Sequence, residues 1–287
     1  MTFLMVNIVQ IILTVIVMLI QPDLIVSDWF DFFLIAVSFY LVGFPLFYFM
    51  TRKLPDGKVR ESHKLSIKKL MKYGCVSYAT VYVINLITVF VMYLIELLKS
   101  HQIINPVEEL VSTGNPFLTL LCVVIISPII EELIFRKIML NKLRDYGDRI
   151  AILVTSITFG LYHGNFSQLF YAAALGAIFS YIVLKTNRIQ YTIMLHMFIN
   201  AMGSLILPFL MSGDSWIQQA QLAGLLVIII VVLGLFFIIK NYKKVTLLRG
   251  SINLPKEHQF DIVWGNLGMV SYIIITVGLS LLVLNLV

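Results

Sequence analysis

Two adjacent acids, Glu131 and Glu132, stand inside an otherwise apolar run from Phe117 to Leu140. A charged side chain near a bilayer centre costs at least ~2.5 kcal/mol on insertion scales, so an acid placed there is a functional candidate. Glu132 and Arg136 are four residues apart, acid first, and so share a helix face and can pair. Glu131 sits about 100° round an ideal helix from Glu132 and about 140° from Arg136. That leaves it outside the pair, as a carboxylate suited to general-base work. Pro128, just upstream, removes a backbone donor and can bend the helix at this point. Two later apolar stretches carry Phe159 with His163, and His196 with Asn200, each pair four apart and on one face. An imidazole and an amide that point the same way can donate to one developing oxyanion. Two carboxylates, two imidazoles and an amide are together the equipment for hydrolysis.

Each group also has a plainer role. A buried ion pair that stabilises a bundle accounts for Glu132 and Arg136, though it leaves Glu131 unexplained. His163 alone is compatible with a histidine satisfied near the membrane interface, and His196 with Asn200 with a polar clamp between helices.

These residues need membrane-spanning helices to position them. The chain is 60% hydrophobic and only 13% charged, with a mean hydropathy of +0.95. Soluble domains carry about 25% charged residues, so the composition is that of an integral membrane protein. Nine stretches approach the roughly 17–25 residues needed to cross the hydrocarbon core: 2–20, 30–50, 75–98, 117–141, 149–164, 166–185, 190–211, 217–240 and 267–287, with the fifth marginal. None alternates as a barrel strand would. The expectation is an all-α, polytopic transmembrane helical bundle of eight or nine spans. It divides into N-terminal helices with a basic loop (1–116), a catalytic core (117–211) and C-terminal helices (212–287). The first stretch lacks a basic leader and a small-residue cleavage site, so it reads as a retained helix.

The pI of 9.2 follows from topology, and no nucleic-acid partner is expected. With the N-terminus cytoplasmic, the C-terminus outside and every stretch spanning, twenty of the 21 Lys and Arg residues fall on the cytoplasmic side, as the positive-inside rule requires. The outer loops keep only Lys99, beside Asp23, Asp28, Glu108, Glu109 and Asp214. The loop Thr51–Gly74 carries Lys64, Lys68, Lys69 and Lys72 among Leu65, Ile67, Leu70 and Met71. It fits either a short basic amphipathic helix lying on the lipid surface or an ordinary basic loop. Cys75 and Cys122 both lie in apolar stretches and make no disulfide framework.

The order Glu-Glu-x-x-x-Arg, Phe-x-x-x-His, His-x-x-x-Asn on successive membrane helices resembles the CPBP (Abi) family of intramembrane proteases. This family includes the CAAX prenyl endopeptidases and bacteriocin-processing and immunity-associated relatives. The resemblance covers about a third of the chain, roughly 117–210. It implies that Glu131 is the catalytic glutamate, that His163 helps hold and activate water, and that His196 and Asn200 stabilise the oxyanion. It further implies that Glu132, Arg136 and Phe159 support them. The family has also been described as zinc-dependent, which would make Glu131, His163 and His196 the ligands. The chain lacks the His-Glu-x-x-His arrangement of helix-borne zinc proteases, so no cofactor is the favoured expectation and zinc the alternative. The leading expectation is therefore an endopeptidase acting on a membrane-associated peptide or protein within the lipid bilayer. A non-catalytic immunity or scaffold protein on the same fold comes second. A proton-coupled carrier comes third, because no matching pair of broken helices suggests inverted repeats.

Overall fold

Lipid offers no partner to a backbone amide, so an apolar run must satisfy its own hydrogen bonds by coiling. The computed structural model of the chain describes residues 2–285 except 28, 59, 100–102, 104, 106–108, 112, 113, 212–215 and 256. Among these, eight helices are long and apolar enough to cross a membrane: α1 (Thr2–Ile20), α2 (Phe30–Thr51), α3 (Ile67–Lys99), α4 (Pro116–Tyr146), α6 (Phe166–Thr186), α7 (Gln190–Leu210), α8 (Ile217–Lys244) and α10 (Leu267–Leu284). The marginal fifth stretch is α5 (Asp148–Tyr162), whose 15 residues reach about 22 Å. A short helix, α9 (Gln259–Val263), precedes α10. The all-α polytopic expectation holds, and the described residues contain no strand.

Small residues decide which helices touch. A Cβ on Gly160 of α5 would stand 2.5 Å from the Leu169 carbonyl of α6, and one on Gly176 of α6 would stand 3.0 Å from Ser156 Cα of α5. Thr155 and Ser180 hydrogen-bond across the same seam at 2.9 Å. Gly164 is four residues from Gly160, the spacing of a small-x-x-x-small packing pair, but has a different job. Its φ of +62° closes the turn between α5 and α6, a conformation that side-chain-bearing residues resist. The main apolar core joins Tyr78 of α3, Phe179 and Ile182 of α6, Leu195 and Ile199 of α7 and Val227 of α8.

The basic segments meet at one end of the bundle. There Arg60 pairs with buried Asp148 at 2.7 Å, Lys142 with Asp56 at 3.1 Å, and Lys185 donates to Thr246 at 3.1 Å. Arg188 donates to Ser62 at 2.7 Å. Lys99 lies elsewhere, donating to the carbonyl of Leu284 near the end of α10. Asp28, Glu108 and Asp214 of the outer loops, and Lys256, lie outside the described residues. The described residues of the Thr51–Gly74 segment form no separate surface helix. Lys68, Lys69 and Lys72 belong to the first turns of α3, a continuous helix of 33 residues that reaches about 50 Å and so outruns a hydrocarbon core of about 30 Å.

Candidate active site

The site is built on an unevenly wound helix. Within α4, residues Thr119–Ile126 and Leu133–Met139 are π-helical, and the single α-helical stretch between them is Ser127–Glu132. In π winding, groups five apart come into register, which moves Arg136 towards Glu131 as well as Glu132. The pairing predicted from spacing is present: Arg136 Nη1 lies 3.2 Å from Glu132 Oε1, with both side chains fully buried. Aromatic faces surround the rest of the cation. Its guanidinium carbon is 4.2 Å from the Phe159 ring centre and 5.6 Å from that of Phe179. Rings this close stabilise a desolvated cation through their quadrupoles.

His196, from α7, stands between the two acids. Its Nδ1 is 3.3 Å from Glu132 Oε1, and its Nε2 is 3.7 Å from Glu131 Oε2. The second distance exceeds a hydrogen bond, and Glu131 Oε2 is buried with no hydrogen-bond partner among the described residues. The adjacent acids therefore differ in kind. Glu132 is held through Oε1 by a cation and an imidazole, whereas Glu131 has only His196, at 3.7 Å; each keeps Oε2 buried without a hydrogen-bond partner among the described residues.

Asn200, one turn beyond His196, donates from Nδ2 to the carbonyl of Val123 at 2.9 Å. Local sequence explains the bond. In the π stretch, the Ser127 N–H reaches the Cys122 carbonyl five residues back. By the same pattern the Val123 carbonyl faces Pro128, which has no N–H to give. Asn200 supplies the missing donor and fastens α7 to α4.

His163 ends α5. Its Nδ1 lies 2.9 Å from the Phe159 carbonyl, so an Nδ1–H donating there leaves Nε2 as the acceptor nitrogen. Asn165 caps α6 by accepting from the Gln168 N–H at 2.9 Å, and its Nδ2 donates to the His163 carbonyl at 2.9 Å. Phe159 unites the site: its ring, 1% exposed, meets His163 edge-on at 5.1 Å and His196 at 5.9 Å between centres. His163 also meets the Tyr162 ring edge-on, at 5.8 Å between centres. It also lines an open crevice of about 790 Å³, together with Gln10 and Thr14 of α1, Asp31 of α2, and Glu109. Of the four candidate catalytic residues, only His163 borders that crevice.

Tyr40 escaped the sequence reading. Its hydroxyl donates to Ser127 Oγ at 3.1 Å, and Tyr162 packs edge-on against Phe39 of the same helix at 5.5 Å between centres. Tyr162, beside His163 in sequence, carried a weak signal; Tyr40, on a separate helix, carried none. For zinc, no three His, Cys, Asp or Glu side chains among the described residues are drawn together as a metal-binding group. Glu131, His163 and His196 as arranged do not fit a three-ligand zinc site.

Residues 113–202 match the family described as type II CAAX prenyl endopeptidase Rce1-like. This region is similar to the Rce1-like domain. It contains Glu131, Glu132, Arg136, Phe159, His163, His196 and Asn200, and it bears out the family resemblance read from the motifs. Over 77 residues, 26% of the chain, the sequence is 35% identical to a Bacillus subtilis (strain 168) protein named as the membrane peptidase YdiL. Over 157 residues, 50% of the chain, it is 26% identical to the membrane-embedded CAAX protease MroQ of Staphylococcus aureus (strain USA300). The chain spans 32% and 63% of the length of these two relatives. No solved structure matches the chain.

Proposed function

We propose that the chain is an intramembrane endopeptidase that hydrolyses a peptide bond in a membrane-associated peptide or protein, with Glu131 as the base. The observation that carries this reading is the placement of His196 between two acids of unlike environment. Glu132, tied to Arg136, orients the ring through Nδ1, and Nε2 is presented towards Glu131. Glu131 takes a proton from water as the water oxygen attacks the peptide carbonyl carbon. The oxyanion that forms accepts hydrogen bonds from His196 and from the second N–H of Asn200. As the C–N bond breaks, Glu131 returns its proton to the leaving amine, and the carboxylate is restored. His163, with Nδ1 engaged by Phe159, helps to hold the water through Nε2 and faces the crevice by which water and substrate arrive. This chemistry needs no ion.

One observation favours a second reading, a non-catalytic immunity or scaffold protein: Asn200 already serves the Val123 carbonyl. Cleavage of a membrane peptide by the purified, reconstituted protein decides between them. Glu131→Ala should lower the rate by about 10²–10⁴-fold, the usual worth of a general base. Equal traces of cleavage by both proteins would leave the scaffold reading standing.

A further inference from the structure

We propose that the basic end of the bundle holds a binding pocket for one anionic phospholipid, formed by α5, the connection after α8, and α9. The pocket is distinct from the site around Glu131. It encloses about 1060 Å³, and Arg149 and Arg249 line it. Neither arginine makes an ion pair or a side-chain hydrogen bond with any described residue. No carboxylate lines the pocket. Two acids at the base of α5 are turned to other work: Asp148 pairs with Arg60 and accepts the Leu248 N–H at 2.9 Å, and Asp145 accepts the Lys58 N–H at 3.0 Å; Asp261 of α9 is exposed and does not line the pocket. Two guanidinium forks therefore present their donors to a cavity with no anion of its own, and a phosphodiester matches that geometry.

The opposite wall defines the rest of the ligand. Leu153 and Val154 continue the face of α5 about one turn deeper than Arg149, while Phe260, Val263 and Trp264 close the other side. Phe260 is 70% exposed, although it stands on the rim of a cavity that would cover it once an acyl chain entered. A free phosphate would use the arginines and leave this apolar wall idle. A zwitterionic lipid would bring a cation to a pocket that has no acid to receive it. An anionic phospholipid uses both walls, and a tryptophan at the junction of polar and apolar surface is typical of headgroup level.

The pocket is built rather than incidental. The connection after α8 is stapled to the turn before α5 by three hydrogen bonds: Asp148 N–H to the Leu248 carbonyl at 3.0 Å, Leu248 N–H to Asp148 Oδ2 at 2.9 Å, and Ile252 N–H to the Asp145 carbonyl at 2.9 Å. Gly147, with φ of +95°, lies so close that a Cβ there would stand 2.8 Å from the Gly250 nitrogen. Contact at this point fixes the connection, and with it Arg249, against α5.

The test uses full-length protein in detergent with Trp264 as its sole tryptophan, titrated with lipids brominated on the acyl chain. Brominated phosphatidylglycerol should quench Trp264 at about 25-fold lower mole fraction than brominated phosphatidylcholine, at about fivefold for each arginine near a headgroup. The Arg149→Gln/Arg249→Gln double variant should abolish that preference. Arg149→Lys/Arg249→Lys, which keeps the charge, should retain most of it and controls for damage to the fold. Equal quenching by the two lipids, or a preference that persists in the glutamine variant, would overturn the proposal. Loss of the preference on adding millimolar inorganic phosphate would overturn it too, by showing that the arginines take free phosphate.

Discussion

At the scale of single residues, Glu131 and Glu132 are neighbours with opposite obligations, and substitution should separate them. Glu131→Ala or Glu131→Gln should abolish cleavage while membrane abundance stays near wild type, because no fully buried cation depends on it alone. Glu132→Ala takes from Arg136 its ion-pair partner, and the guanidinium nitrogens lack hydrogen bonds among the described residues. Loss of one partner from a buried pair costs roughly 3–5 kcal/mol, so Glu132→Ala and Arg136→Ala should both lower abundance and thermal stability as well as activity. Immunoblotting of membranes alongside a cleavage assay checks the split, and an equal fall in abundance for Glu131→Ala would contradict it. Asn200→Ala should have a mixed phenotype, since it removes the proposed oxyanion donor and leaves the Val123 carbonyl unsatisfied at about 1–3 kcal/mol.

At the scale of elements, the seam between α5 and α6 sets where His163 ends up. Gly160→Leu would drive a side chain into the Leu169 carbonyl and Ala173 of α6. Overpacking of this kind typically costs 1–3 kcal/mol, and here it would also shift the helix that carries Phe159 and His163. The expected result is a lower melting temperature with disproportionate loss of cleavage. Gly164→Ala tests a different effect: φ of +62° penalises an L-residue by about 1–2 kcal/mol, while the new methyl would meet only Phe3, at an ordinary contact distance of 3.8 Å. A milder loss of stability than in Gly160→Leu is expected, and differential scanning fluorimetry of the two variants would show whether the order holds.

At the scale of the whole molecule, orientation and mechanism give the remaining tests. The basic segments are bonded together at one end, so cysteines placed at Lys64 and Lys243 should label from the same, cytoplasmic side, and one placed at Lys99 from the other. Labelling of the first two from opposite sides would refute the proposed topology. If Glu131 activates water without an ion, cleavage should survive exhaustive chelation. Activity lost to a chelator and restored by zinc would replace this chemistry with metal-activated water.

The sequence alone determined the class of the molecule and named the candidates for its site. A charged side chain in lipid is costly enough to be conspicuous, and hydrophobic runs of spanning length leave the backbone little alternative to a helix. The i,i+4 pairing of Glu132 with Arg136 was legible because it is local. Only the tertiary structure decided that His196 lies between the two glutamates, that Tyr40 approaches from a helix some ninety residues upstream, and that Asn200 repairs a carbonyl orphaned by Pro128. Those outcomes depend on the change from α to π winding along α4 and on the depth at which α5 stops. Neither is encoded by spacing on an ideal helix. Each is settled by which helices pack together and which buried polar groups must find partners across the seams.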